Sequence, residues 1–321
     1  MTIHQDFSLS NILWYKIGGK AKYFLECSKK EDILQAIDFI RSKQLQKIFI
    51  CGLGSNVLFS DDYFDGAVIR IVSEKNNSPF IKKDGLVEVF AGEILGDLVK
   101  YCLDNNLIGL EWAGGLPGTV GAGVRGNVGA FGGEIKDTFV SAEIIDYSTT
   151  DLAIKEFSKE DLQFVYRGSY IKTQKKIIVL SASFRLHKGI PEEIIRAREV
   201  YERNIQFRKD HHPLEYPNCG SVFKNIRKKE EIEKILSVFP EFKEDVVAKW
   251  HGKVAMASLI EKLGFKGYRI GDAQISQKHA LFIINRGQAK AKDVLQIIKN
   301  VQDKFQVTFG FVPEVEVEIV K

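Results

Sequence analysis

No apolar run in this chain of 321 residues approaches the about 18 residues that a membrane span needs. The first residues also lack a basic stretch followed by an apolar core, so neither a membrane protein nor a cleaved leader is expected. A cytoplasmic location is. Cysteine is scarce: Cys27, Cys51, Cys102 and Cys219 are scattered with no CxxC spacing, which favours reduced thiols over a disulfide framework or a zinc site. No internal repeat or low-complexity tract occurs, and neither sign of charge dominates. The net charge of +4 is spread along the chain. Its one dense basic cluster, Lys224 to Lys229, is broken by Asn225 and Ile226 and followed by Glu230, Glu231 and Glu233, which speaks against a nucleic-acid partner. What remains is ordinary for a globular protein, 45% hydrophobic and 27% charged, and long enough for two or three domains.

Glycine is the exception. Nine of the 27 glycines lie between Gly114 and Gly133. Glycine loses more conformational freedom on folding than any other residue, so such density is kept where backbone must approach something closely or turn through φ > 0. The intervening residues (Thr119, Val120, Ala122, Val124, Val128, Ala130) are small or β-branched, unlike those of a flexible linker. The segment reads as a bed for a large flat or phosphate-bearing ligand, the plainer alternative being a closely packed crossover. Gly121 to Gly126 matches GxGxxG, and Asp146 follows about twenty residues on, as in a Rossmann unit. That unit needs a strand running into its first glycine and a helix opening at its last. Gly114 to Gly118 interrupts any such strand, and Asn127 to Gly133 is a poor helix former, so a Rossmann fold is rejected and a dinucleotide held by backbone is retained.

The rest alternates helix and strand. Ser28 and Glu31 have capping-box spacing before Ile33, Ile37 and Ile40, predicting a helix over 29–43. A strand over 47–51 runs into Gly52-Leu-Gly-Ser-Asn56, a second place where backbone N–H groups can cup an anion, with Val57 resuming extended structure. Strands are expected over 67–72, 87–91, 142–147, 176–186 and 281–285, and helices over 93–105, 191–208, 230–238, 255–263 and 292–305. The cluster Asp210-His211-His212-Pro213 reads as a boundary. Val315, Val317 and Ile319 alternate with Glu314, Glu316 and Glu318, predicting a last strand over 315–320. The architecture is α+β in at least two parts.

Three places could carry chemistry. Asn218 to Asn225 gathers a hydroxyl, an ammonium and amides beside Gly220, though Ser221 lacks a G-x-S-x-G elbow and an ordinary turn accounts for the segment equally well. Arg167 sits in a tight aromatic-flanked turn suited to clamping a carboxylate, or is simply exposed. Glu314 falls by periodicity on a solvated face. His211 and His212 point to opposite sides of an extended chain, with no further ligands at recognisable spacing, so no metal is expected; Cys219 reads as packing.

Lys16-Ile-Gly-Gly19, Gly52-Leu-Gly-Ser-Asn56, Gly115-Leu-Pro-Gly-Thr-Val-Gly121, Tyr166-Arg-Gly-Ser169, Gly220-Ser-Val-Phe-Lys-Asn225 and Pro313-Glu-Val315 occur in that order. With them the chain, from about residue 11 to its last strand, resembles the UDP-N-acetylenolpyruvoylglucosamine reductases, flavoenzymes of peptidoglycan precursor synthesis. The resemblance implies a PCMH-type FAD-binding region of two parts, α/β and α+β, followed by a C-terminal α+β substrate domain. The implied spans are 1–75 with a returning strand in 306–321, then 76–205, then 206–305. FAD, bound without a covalent tether, would be held by Gly52, Gly54, Ser55, Asn56, Val57, Pro117, Gly118, Thr119 and Gly121. NADPH would supply hydride, and the substrate would be the enolpyruvyl ether of UDP-N-acetylglucosamine, reduced to UDP-N-acetylmuramate. Arg167 and Glu314 match residues that stabilise the enolate formed after hydride transfer, and Ser221 matches the general acid. For Glu314 that role requires either a protonated carboxyl or a neighbouring donor that it holds, because a bare carboxylate opposes an enolate. Lys224, Asn225, Gln274 and His279 are candidate substrate contacts.

Two departures are visible: Ile226 stands where the family usually has proline, and Lys321 is reached without the glycine that the family usually places soon after the Pro-Glu-Val strand. The short separation of Arg167 and Ser221 resembles the compact branch that lacks an additional substrate-covering loop. The partners implied are small molecules only, acting on a monomer. Two other functions compete. A related flavin oxidase would often tether its flavin through His or Cys, yet no histidine lies between residues 5 and 186. A non-catalytic nucleotide-sugar binder would show a broken catalytic set, whereas Arg167, Ser221 and Glu314 are all present.

Overall fold

The computed structural model describes residues 1–74, 80–174 and 176–321. The chain divides into two units: one of residues 1–7, 21–53 and 64–210, the other of residues 8–20, 54–63 and 211–321. The division after Asp210 falls on the boundary cluster, but two N-terminal segments belong with the C-terminal part.

In the first unit a four-stranded sheet has the order Thr2–Ser8, Lys20–Cys27, Phe64–Ile71, Ile48–Cys51. The last three strands are mutually parallel. Ala67, Val68 and Ile69 are buried in succession, as expected for a parallel strand covered on both faces. The helix Lys30–Ser42 supplies Ile33, Ala36, Ile37 and Ile40 to that core. Its start differs from the expected capping box. Asp32, not Glu31, reaches back to the Ser28 N–H (2.9 Å) and hydroxyl (3.2 Å), and it also accepts the Met1 ammonium at 2.7 Å.

Asp32 is only 2% exposed. Burial pushes its carboxyl up, but the hydrogen bonds from Met1 and Ser28 more than reverse this and hold it below the ordinary value. Its contribution to stability is therefore complete above the unfolded-state value of about 4 and is lost as pH falls through the lowered folded value. Asp32→Ala should cost about 2–4 kcal/mol, because it leaves a half-buried ammonium and the Ser28 N–H without their partner. The check is thermal unfolding of both proteins from neutral to acid pH; a gap that does not narrow on acidification would contradict this account.

A second, antiparallel sheet of five strands has the order Ile154–Ser158, Phe139–Asp146, Ile177–Arg185, Leu86–Phe90, Phe80–Ile81. The helix Leu95–Asp104 buries Leu95, Leu98, Val99, Cys102 and Leu103 in the core beside it. The helix Pro191–His211 ends the unit, three residues longer than the sequence predicts.

The glycine-rich segment contains a helix that the sequence does not predict, Val120–Gly126. Tertiary bonds override weak propensity here: the Gly121 N–H donates to Ala91 O at 2.8 Å, and Asn127 closes the helix in the left-handed region at φ 41°. This helix ends, rather than opens, at the last glycine, so the Rossmann arrangement remains excluded.

The second unit holds a four-stranded antiparallel sheet, ordered Asn218–Ser221, Phe282–Asn285, Ala273–Ile275, Arg269–Ile270. Helices Lys229–Val238, Phe242–Ala248, Met256–Lys262 and Ala291–Phe309 accompany it. The core gathers Ile235, Val254, Leu259, Val294, Val301 and Phe305, and the N-terminal segments add Tyr15, Ile17 and Leu58. The expected last strand is shorter than predicted. Only Glu318–Val320 forms a ladder, parallel to Val57–Phe59, while Val315 makes a single bridge to Phe223. The chain changes partners midway, which periodicity alone does not reveal.

Candidate active site

The two glycine loops meet inside the first unit. Strand Ile48–Cys51 delivers Gly52 against Thr119, where any Cβ would run into the threonine hydroxyl and methyl. Leu95 N–H bonds to Gly118 O at 3.0 Å and Val120 N–H to Glu93 O at 2.9 Å, and these bonds hold Gly118 at φ +132°. Pro117 has no N–H and that of Gly121 is taken by Ala91, so Gly118 and Thr119 are the residues of this stretch left to offer backbone donors to a ligand. In the second unit Ser55 O lies 3.9 Å from where a Gly220 Cβ would stand. Asn56 O accepts the Glu318 N–H at 3.1 Å, and Val57 opens the strand paired with Glu318–Val320. The Gly54–Asn56 turn is thereby fixed between the last strand and the residue preceding Ser221.

Ser221 is presented by a bulge. Asn218 pairs with Ile284 and Ser221 with Phe282, so the register shifts between them. Gly220 takes φ +79°, and its N–H bonds to Asn218 Oδ1 at 3.0 Å. Bulges of this kind re-aim a side chain that a regular ladder would direct elsewhere. Beyond it the chain runs between two others: Val222 N–H bonds to Leu281 O, Glu316 N–H to Val222 O, and Lys224 N–H to Glu314 O at 3.0 Å.

That last bond places the Lys224 and Glu314 side chains together. Lys224 Nζ lies 2.9 Å from Glu314 Oε2, and Lys228 Nζ 3.5 Å from Oε1. The hydrogen bond from Lys224 is the main reason that the Glu314 carboxyl stays below the usual carboxylate range. Of the two conditions under which Glu314 could serve an enolate, the geometry meets the second: an ionised carboxylate gripping an ammonium. Lys228 belongs to the basic cluster Lys224 to Lys229; its link to Glu314 depends on the returning chain and has no local signal. Cys219 is buried and its thiol is pushed up to about 12 by desolvation, so it packs.

Arg167 occupies a two-residue turn closed by reciprocal Val165–Gly168 bonds of 3.0 and 3.1 Å. Its φ of +59° is uncommon for a residue with a side chain and costs about 1 kcal/mol or more. Such strain is characteristic of functional positions. Its guanidinium lies over the Tyr166 ring at 5.1 Å, and Nη1 would stand 3.3 Å from a Cβ on Gly129.

The remaining candidates are engaged within the protein. Asn225 Oδ1 accepts the Met256 N–H at the start of a helix, and Gln274 donates to Gly267 O while accepting from Arg286. His279 Nδ1 accepts the Leu281 N–H, and burial lowers its pKa. Gln274 therefore supports Arg286 and the local turn, which its appearance in the sequence does not foretell. Among the described residues no group of three or more His, Cys, Asp or Glu side chains could hold a metal, and no helix is long and apolar enough to cross a membrane.

Residues 212–320 match the UDP-N-acetylenolpyruvoylglucosamine reductase C-terminal domain, and residues 21–152 match an FAD binding domain. The UDP-N-acetylenolpyruvoylglucosamine reductase of Fusobacterium nucleatum is 36% identical over 321 residues, covering all of both chains. That of Caldicellulosiruptor saccharolyticus is 36% identical over 317 residues, covering 98% of this chain and 91% of the relative. The chain belongs to the UDP-N-acetylenolpyruvoylglucosamine reductase family. In fold it is similar to the crystallised reductase from Thermus caldophilus, with a TM-score of 0.73, 28% identity, and 100% of this chain and 98% of that chain covered.

The reductase fold accommodates the departure at Ile226, whose N–H bonds to Val254 O at 3.1 Å, a bond that proline could not donate. The bare backbone of these loops also fits FAD: Gly52 packs directly against Thr119, and Gly118 takes a φ of +132° that a side chain would strain.

Proposed function

We infer that Arg167, Ser221 and the Glu314–Lys224 pair carry the family's reaction in this chain, the NADPH-dependent reduction of enolpyruvyl-UDP-N-acetylglucosamine to UDP-N-acetylmuramate. FAD, when bound, relays hydride from NADPH to the vinyl CH2 carbon of the substrate. Charge then develops on the substrate's α-carbon and spreads into its carboxylate. Fixed cations and donors at that place are worth about 3–4 kcal/mol each. Arg167 supplies one planar cation. Glu314 contributes indirectly: it orients Lys224, and with Lys228 the trio carries a net positive charge. Ser221 gives its hydroxyl proton to the α-carbon, and positioned transfer of this kind supplies roughly 10²–10⁴-fold.

The observation that carries this reading is the set of backbone bonds that brings the Ser221–Lys224 segment alongside Glu314. The Gly52–Val57 loop and Pro117–Gly121 hold FAD, chiefly through main chain, and Lys224 is the substrate-contact candidate whose charge is best placed. Action in the cytoplasm as a monomer completes the proposal; the four cysteines, all free and buried, suit a reducing compartment.

Under anaerobic conditions the purified yellow protein should bleach with NADPH and recover its colour with the enolpyruvyl sugar. Bleaching without recovery would remove this function. Glu314→Gln should slow the recovery about 10²-fold by loosening Lys224. In the parent protein recovery should also fail as pH drops through the lowered Glu314 value, since protonation releases the ammonium. An acid limb that persists unchanged in Glu314→Gln would belong to another group.

A further inference from the structure

Arg208 lies in the last turn of the helix Pro191–His211 and is 8% exposed. Its Nε donates to Gly114 O at 3.0 Å, and its guanidinium carbon sits 5.1 Å from the centre of the Phe131 ring. Nη2 is buried and has no hydrogen-bond partner among the described residues. Burial lowers its pKa, to about 10, so the group stays cationic at neutral pH with no carboxylate among the described residues to answer it. A buried charged donor left unbonded costs more than the about 1–3 kcal/mol of a neutral one, so its retention calls for an acceptor from outside the chain. Gly115, at φ +68°, leaves room for the side chain: a Cβ there would stand 3.1 Å from Arg208 Cδ.

We propose that Arg208 is the cation that meets the pyrimidine edge of the flavin ring, on its N1–C2=O side, and so favours the reduced, anionic ring. A planar guanidinium resting on Phe131, with Nε spent on Gly114 O, offers its Nη donors as a fork to two adjacent in-plane acceptors of a flat ligand, such as a ring nitrogen beside a carbonyl. A diphosphate would demand several donors, and backbone N–H groups at Gly118 and Thr119 are better suited to it. The proposal rests on FAD binding by this family member; colourless protein would count against that premise, not against the role of Arg208.

The test is the equilibrium reduction potential of the flavin-loaded protein. Arg208→Met keeps length and loses charge, and replacing an unpaired buried charge by an apolar group is often neutral for folding. Reduced flavin should be held ten- to a hundredfold less well relative to oxidised flavin, a fall of about 30–60 mV for this two-electron couple. The variant's affinity for riboflavin, which has no phosphates, should fall by the same factor as its affinity for FAD. An unchanged potential overturns the proposal, and loss of FAD affinity with riboflavin affinity intact would assign the cation to the phosphates instead. The unsubstituted protein provides a second measurement if the variant does not fold. With N1 held anionic, one proton accompanies two electrons, so the potential should change by about 30 mV per pH unit even between about pH 5 and 6. A slope near twice that value would refute the assignment.

Discussion

Ser221→Ala should leave bleaching of the flavin by NADPH intact and slow its reoxidation by the enolpyruvyl sugar by about 10²–10⁴-fold. The asymmetry follows from where a proton is needed. Hydride leaving NADPH requires no acid from the protein, whereas the substrate's α-carbon must receive a proton after hydride reaches its neighbour. The bulge that presents Ser221 is made by Gly220, Asn218 and backbone pairing, none of which involves the serine hydroxyl. The variant should therefore fold with stability within about 0.5 kcal/mol of the parent. Anaerobic stopped-flow measurement of each half-reaction decides the matter. Equal slowing of both would mean that the hydroxyl positions the flavin or the loop and is not the acid.

Gly118→Val should yield folded protein nearly empty of flavin. A φ of +132° is strained for any L side chain and worst for a β-branched one. Relief would rotate the peptide that lies between Pro117 and Thr119, the part of this loop where donors remain for a phosphate. The bond from Leu95 to Gly118 O would be strained with it. Gly96 offers a control in the same region: it lies inside the helix Leu95–Asp104, at ordinary φ, with nothing near a new Cβ. Gly96→Ala should keep its flavin and gain about 0.5–1 kcal/mol of stability. Flavin absorbance per protein after purification, compared between the two variants, reads the result. A stable and fully yellow Gly118→Val would show that FAD is not held there.

Much of the fold is legible from local pattern. Apolar spacing locates the helices Lys30–Ser42, Leu95–Asp104 and Ala291–Phe309, and uninterrupted apolar runs locate the central strands. The misses have a common origin. The helix Val120–Gly126 forms because Ala91 captures the Gly121 N–H from far along the chain, and the last strand is cut short because residue 315 pairs with Phe223 before 318–320 pair with Val57–Phe59. Neither partner is adjacent in sequence.

By itself, then, the order of residues determined the α+β class, the two glycine loops and the family, and it singled out the side chains proposed to react. Tertiary structure alone decided their states. Glu314 is an ionised clamp because Lys224, ninety positions away, is drawn onto it by a backbone bond. Gln274 supports a turn, and Arg208 keeps a buried, uncompensated charge. Charge state and hydrogen-bond availability depend on desolvation and on partners remote along the chain, and a linear pattern carries neither.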